Sequence, residues 1–194
     1  WRNDFRSTSF HNTPIIDGEE QNRFVDPEYL WALHDDAKPE VRHWSVSEDL
    51  DRFIGSHSGY SRLSYPVKPV RGISLDKDKH RIVIFDSFEG IGKHKIQIPY
   101  HFSIGAKPIQ DSPGQWRIIT GGQEFMMVAN MTNGWSANLD EGWVSPSYGI
   151  KKPIKVLNFH RNGPLESLAI TIMPADNVPT NPIQWLQSIT AELN

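Results

Sequence analysis

Val70-Arg71-Gly72-Ile73-Ser74-Leu75-Asp76-Lys77-Asp78-Lys79-His80-Arg81-Ile82-Val83-Ile84-Phe85-Asp86 is the stretch whose reading decides the fold class. Two runs rich in β-branched residues are joined by the short, charged, turn-prone Asp76-Lys77-Asp78-Lys79, which predicts a β-hairpin. The same grammar recurs along the chain. Gln115 to Thr120 and Glu124 to Met131 flank Gly121-Gly122, and Lys155 to Phe159 and Ser167 to Met173 flank Asn162-Gly163-Pro164, so two further hairpins are expected. From Lys93 to Ser103, Ile96, Ile98, Tyr100 and Phe102 alternate with Gln97, Pro99 and His101, which is the period of a half-buried strand. Val41 to Val46 reads as a strand with one aromatic face, and Thr13 to Asp17 as a strand stopped by Asp17-Gly18. Another segment begins at Phe53-Ile54 and closes at Ser58-Gly59-Tyr60. Short strands punctuated by turns predict an all-β fold, an antiparallel β-sandwich over residues 1–175.

Helical periodicity is confined to the tail. Pro182 suits a first helical position, and Ile183, Leu186, Ile189 and Leu193 fall on one face. Residues 176–194 therefore read as a linker and a short C-terminal helix, which either caps the sandwich or docks on a partner.

Composition narrows the function classes. At 194 residues, 38% apolar and 22% charged, the chain is globular and of single-domain size. A net charge of −3 argues against nucleic acid as a partner. No apolar run approaches the ~20 residues of a transmembrane helix, so no membrane partner is expected. The start at Trp1-Arg2-Asn3-Asp4 reads as a mature form or a fragment. With no cysteine, disulfides, thiolate metal sites and cysteine nucleophiles are all excluded. Basic clusters, Lys93-His94-Lys95 and Lys151-Lys152 with Lys155, read either as solvated strand edges or as contacts for an anion.

Catalytic signatures are sparse. The sequence has no phosphate-binding loop, no Gly-x-Ser-x-Gly elbow and no His-Glu-x-x-His helix. Its eight histidines are scattered, and the carboxylate pairs Glu19-Glu20 and Asp35-Asp36 sit in polar stretches that read as solvated. Of the seven tryptophans, Trp135 and Trp143 fall in the loop-rich stretch Thr132 to Ser147. They are the candidates for stacking on sugar rings, because an aromatic on an alternating strand is more often core.

The start of the chain carries a resemblance. An Arg6-Ser7-Thr8 run, the His11-Asn12-Thr13 strand start and the apolar strand ending in Asp17-Gly18 occur in the order seen in heparinase II/III-type polysaccharide lyases and the related alginate lyases. His57-Ser58-Gly59-Tyr60, Arg71, the Ile82-to-Asp86 strand, Gly90-x-Gly92-Lys93-His94, Tyr100-His101-Phe102 and Ser145-Pro146-Ser147-Tyr148-Gly149 agree more diffusely. The resemblance reaches to about Pro174.

What it implies is a lyase of two parts, an N-terminal helical toroid and a large antiparallel β region, with an acidic, uronate-containing polysaccharide between them. The reaction implied is β-elimination, with a tyrosine and a histidine as acid and base and an asparagine on the uronate carboxylate. In the family most of these lie ahead of the point where this chain begins, so no catalytic residue is expected here. Whether this polypeptide is itself an enzyme is left open. Members often hold zinc with two histidines and an aspartate, and the second histidine corresponds to His11. Zinc is thus implied for the full-length protein but not expected in this chain alone, since one imidazole cannot hold it. The implied partners are an acidic polysaccharide and the toroid of the same protein, and the resemblance favours a periplasmic or secreted setting. Two other readings stand beside this one, a non-catalytic carbohydrate-binding module and a structural interface domain.

Overall fold

Opposite Val70 stands Ser87, and the ladder runs on to Asp76 opposite Arg81, as the opening stretch predicts. The computed structural model describes residues 1–25, 29 and 31–191. Helix α1 (Arg2–Arg6) and a 3-10 turn (Thr8–Phe10) precede β1 (Ile15–Ile16), β2 (Pro39–Val46), β3 (Leu50–His57), β4 (Val67–Asp76) and β5 (Arg81–Gly90). Then follow β6 (Lys93–His101), β7 (Lys107–Ser112), β8 (Gln115–Thr120), β9 (Gln123–Ala129), β10 (Ser136–Ser147), β11 (Ile150–Pro164) and β12 (Leu168–Pro174). A 3-10 turn (Ala175–Asn177) leads to helix α2 (Pro182–Ala191). The strands form two antiparallel sheets, one ordered β1-β6-β11-β10 and the other β2-β3-β4-β5-β12-β9-β8-β7.

The expected sandwich is present. Ile96, Ile98, Tyr100, Leu157 and Phe159 of the smaller sheet pack against Trp116, Ile118, Met127, Leu168 and Ile170 of the larger. At the centre the Trp116 and Phe159 rings meet edge to face at 5.6 Å. The Gly121-Gly122 hairpin also forms. Both residues take positive φ, 57° and 75°, the two-residue turn that suits strand twist and that side chains resist.

The third expected hairpin does not form. β11 continues through Asn162-Gly163-Pro164, with Asn162 opposite Lys95 and Pro164 opposite Lys93. The chain then crosses to the other sheet, where β12 pairs with β5 and β9. Leu157 and Phe159 consequently face Leu168 and Ile170 across the core rather than beside them. Two apolar runs around a glycine satisfy either arrangement, and burial chose the crossing.

Three further expectations are corrected. Most of the loop-rich stretch is β10, an edge strand paired with β11 from Ser136 to Val144. Its polar, largely exposed residues hid the period. Lys93-His94-Lys95 lies on an interior strand, and His94 is buried. Val41 to Val46 is an edge strand whose alternation breaks at a bulge between Val41 and His43. The C-terminal helix caps the sandwich: Leu186 is buried with Val83, Phe85, Val128 and Ala169, flanked by Ile183, Trp185 and Ile189. Leu193, expected on the same face, lies outside the described residues.

Candidate functional site

The N-terminal segment is tied down before it enters β1. Ser7 donates its hydroxyl to the Asp4 carbonyl at 2.6 Å, and both the backbone N–H and the hydroxyl of Thr8 bond Glu20 at 2.7 and 2.6 Å. Glu20 is therefore not the solvated carboxylate the sequence suggests. Nor is Asp36: Arg23 grips it with two bonds of 2.9 Å, and that pairing holds its carboxyl well below the usual range.

Anchored in this way, the segment lays Asn12 between two strands. Its side-chain Oδ1 accepts the His101 backbone N–H at 2.9 Å and also faces His101 Nδ1 at 2.9 Å. An amide oxygen only accepts, so Nδ1 carries the proton and Nε2 keeps its lone pair. Burial, aided by neighbouring His11, pushes the His101 imidazole below its ordinary pKa and keeps it neutral.

On the other side, the Asn12 carbonyl accepts from Arg71. Arg71 stands opposite Asp86 and bonds it twice, at 2.7 and 2.8 Å, with the carboxylate almost wholly buried. Burial opposes the Arg71 charge, but Asp86 more than offsets this and raises its pKa. The Tyr100 hydroxyl is sealed beside this pair without a hydrogen bond, and burial raises its pKa. His57 borders the same cleft, of about 290 Å³, with Pro14, Pro39, Phe53 and Arg71. Its Nδ1 accepts the Gly59 N–H at 3.2 Å, so Nε2 carries the proton. Burial and the Arg71 charge lower its pKa.

The dispersed motifs thus meet in space. Asn12, His57, Arg71, Asp86, Tyr100 and His101 converge although they span ninety residues of sequence. A second junction pairs Asp17 with His94, Nδ1 to Oδ2 at 2.8 Å, while Asp17 Oδ1 receives the Lys95 N–H at 2.8 Å. Arg71, Asp86 and Asn12 were legible only as fragments of the family pattern.

His11 itself lies just after the 3-10 turn, four residues ahead of β1, and is exposed. No group of three or more His, Cys, Asp or Glu side chains placed to hold a metal occurs among the described residues. His101 is the histidine that neighbours His11.

The two tryptophan candidates part company. Trp135 is 5% exposed, belongs to the core and donates its indole N–H to the Ser167 carbonyl at 2.9 Å. Trp143 is 38% exposed on β10. Lys151 Nζ lies 3.9 Å from its ring and 3.2 Å from that of Trp1. From there a row of rings runs Trp143, Trp1, Phe5, Phe10 and His101, with successive centroids 6.0, 6.0, 5.1 and 6.2 Å apart. The row puts an aromatic surface and a cation at one end and a neutral imidazole at the other. Sequence reading named Trp143 and noted the Lys151 cluster separately; only the fold joins them.

The model of the family described as heparinase II/III-like, C-terminal, matches residues 1–185. The chain belongs to that family. Solved structures with the same fold include the heparan sulfate lyase HepC from Pedobacter heparinus, with a TM-score of 0.71 at 17% identity over 89% of this chain. A heparinase III structure gives a TM-score of 0.68 at 12% identity, again over 89% of this chain. The chain spans 25% of the length of each of these heparinase-type proteins. No curated protein matches it. At these identities the structural likeness concerns the fold.

Proposed function

We propose that this heparinase II/III-like domain is the β-sandwich part of a lyase that cleaves a uronate-containing acidic polysaccharide by β-elimination, together with a helical toroid of the same polypeptide. The observation that carries this reading is the family match over residues 1–185, supported by the shared sandwich fold. Elimination removes a weakly acidic proton beside the uronate carboxyl, so the carboxylate must be neutralised while a base takes the proton. Asn12, His101 and Tyr100 are the residue types such chemistry uses, yet they do not form the set. The Tyr100 hydroxyl is sealed in the core and out of a substrate's reach, and in the family pattern the acid and base lie ahead of this domain. The acid and base therefore come from the rest of the polypeptide.

This domain's own share is binding. Trp143 and Trp1 offer ring faces to a sugar, and Lys151 between them offers a charge to a carboxylate or sulfate. Zinc at His11 requires two further ligands from the longer polypeptide, as the family resemblance implies. The test is depolymerisation by the polypeptide that carries this domain, with heparan sulfate, heparin, alginate and hyaluronan as substrates. Unsaturated uronate product from at least one is expected. Product from none overturns the lyase assignment.

A further inference from the structure

Gly72 sits inside β4, an interior strand of the large sheet, and nothing within the protein asks for a glycine there. Its register is unbroken, with Ile54 on one side and Phe85 on the other, and its φ is not positive. A Cβ built on it would meet no atom closer than 3.9 Å. At Gly55 and Gly142, the other strand glycines without positive φ, a Cβ would strike Phe53 and Val156. Glycine weakens a strand interior, and where no bulge, bend or neighbouring backbone requires it, what remains is room for a ligand.

That room is a hollow of about 240 Å³ on the face of the large sheet turned away from the smaller one, where Val83 and Phe85 meet helix α2. Gly72 is its floor, with Ile54, Val70 and Phe85 as apolar surroundings. An ion pair bars one end. Arg42 on β2 reaches over β3 and β4 to grip Glu89 on β5 through both terminal nitrogens, and its Nε donates to Ser56 Oγ at 3.0 Å. At the other end stands Arg52, opposite Ser74 on β4. Nothing among the described residues pairs with Arg52, and the hydroxyls of Ser74 and Ser87 beside the floor are equally unbonded. An apolar floor with a few convergent polar groups is the make-up of a small-ligand site. Such pockets run upward from roughly 300 Å³, so this one suits one ring rather than an oligomer.

We infer that the hollow binds a single anionic sugar unit, its carboxylate or sulfate on Arg52, its ring over Gly72 and its hydroxyls toward Ser74, Ser87 and Glu89. Charge complementarity decides the class. Arg42 and Glu89 cancel one another, which leaves Arg52 as the uncompensated charge of the hollow. Serine hydroxyls and a carboxylate around an apolar floor offer the donors and acceptors that a ring bearing several hydroxyls needs. The site lies on the other sheet from Trp143 and Lys151 and does not depend on the lyase assignment.

Backbone amide shifts of this chain, followed by nuclear magnetic resonance, test it with methyl glucuronide, glucose 6-sulfate, neutral methyl glucoside and acetate as probes. The acidic sugars move the amides of Gly72, Ser74 and Ser87 saturably, and the tighter of the two names the anion. Methyl glucoside and acetate bind at least about tenfold more weakly, and Arg52→Gln weakens the acidic sugars by a similar factor. Gly72→Val abolishes binding. Gly72→Ala weakens it while holding the unfolding midpoint at or above that of the parent, because its methyl group enters open space and the unfolded chain loses freedom. No saturable shift at these amides with either acidic sugar overturns the inference. Shifts that survive Gly72→Val, or that acetate alone reproduces, overturn it as well.

Discussion

Arg71 and Asp86 stand directly opposite one another on β4 and β5, and the guanidinium grips the carboxylate with parallel bonds of 2.7 and 2.8 Å. The same guanidinium reaches the Asn12 carbonyl, so one ion pair locks the N-terminal segment to the large sheet. Removing the carboxylate strands a charge that is mostly out of water. Asp86→Ala should therefore cost about 3 kcal/mol of unfolding free energy in urea at neutral pH. A variant as stable as the parent would show that the pair does not anchor the segment.

His57 and His101 should hold opposite neutral tautomers at pH 7, Nε2–H in His57 and Nδ1–H in His101. The acceptors Asn12 Oδ1 and His57 Nδ1 impose this assignment. Nitrogen chemical shifts of the two rings read it directly. Asn12→Ala should release the His101 preference and leave that of His57 intact. The same tautomer in both rings would contradict the geometry.

Burial depresses the pKa of His57, His101 and His160 below the ordinary histidine value of 6.5. Below 6.5 the unfolded chain takes up protons on these rings before the folded chain does. Their contribution to stability is thus present above pH 6.5 and is lost as pH falls through the lowered folded values. The unfolding midpoint should drop between pH 7 and pH 5, ahead of the acid titration of Asp36 and Glu89, whose pKa values arginine partners lower. His57→Gln should flatten that slope. A midpoint independent of pH over this interval would refute the assignment.

Sequence reading reached the sandwich because alternation and turn chemistry are local. Val70 to Asp86 and Gly121-Gly122 specify their hairpins without help from the rest of the chain. It failed at Asn162-Gly163-Pro164, where pairing partners were decided across the core by Phe159, Leu168 and Ile170. The site was legible in its parts and not in its assembly. Asn12, Arg71 and His101 are far apart in sequence, and only the register of β4, β5 and β6 brings them together. Trp135 and Trp143 look alike as residues in a polar stretch. One is core and the other surface because β10 lies at the edge of the smaller sheet.

Lys151 and Trp143 should carry binding of anionic polysaccharide by this domain. Lys151→Ala should weaken retention on immobilised heparan sulfate several-fold and reduce its salt dependence, as expected for a cation–ring contact worth about 0.5–1 kcal/mol at an exposed site together with a charge contact. Trp143→Ala should weaken retention as well. Trp135→Phe, inside the core, should leave retention unchanged. Unaltered retention in the Lys151 and Trp143 variants would place polysaccharide contact elsewhere.

The central claim is that this sandwich is one part of a two-part lyase and carries no complete elimination site. The most direct measurement follows ultraviolet absorbance of the unsaturated uronate product. The isolated chain and the longer polypeptide are compared at equal molar concentration on whichever polysaccharide the latter cleaves. The account predicts turnover by the longer polypeptide and none by the chain alone. Turnover by the isolated chain, abolished by substitution of one of its own residues, would contradict it.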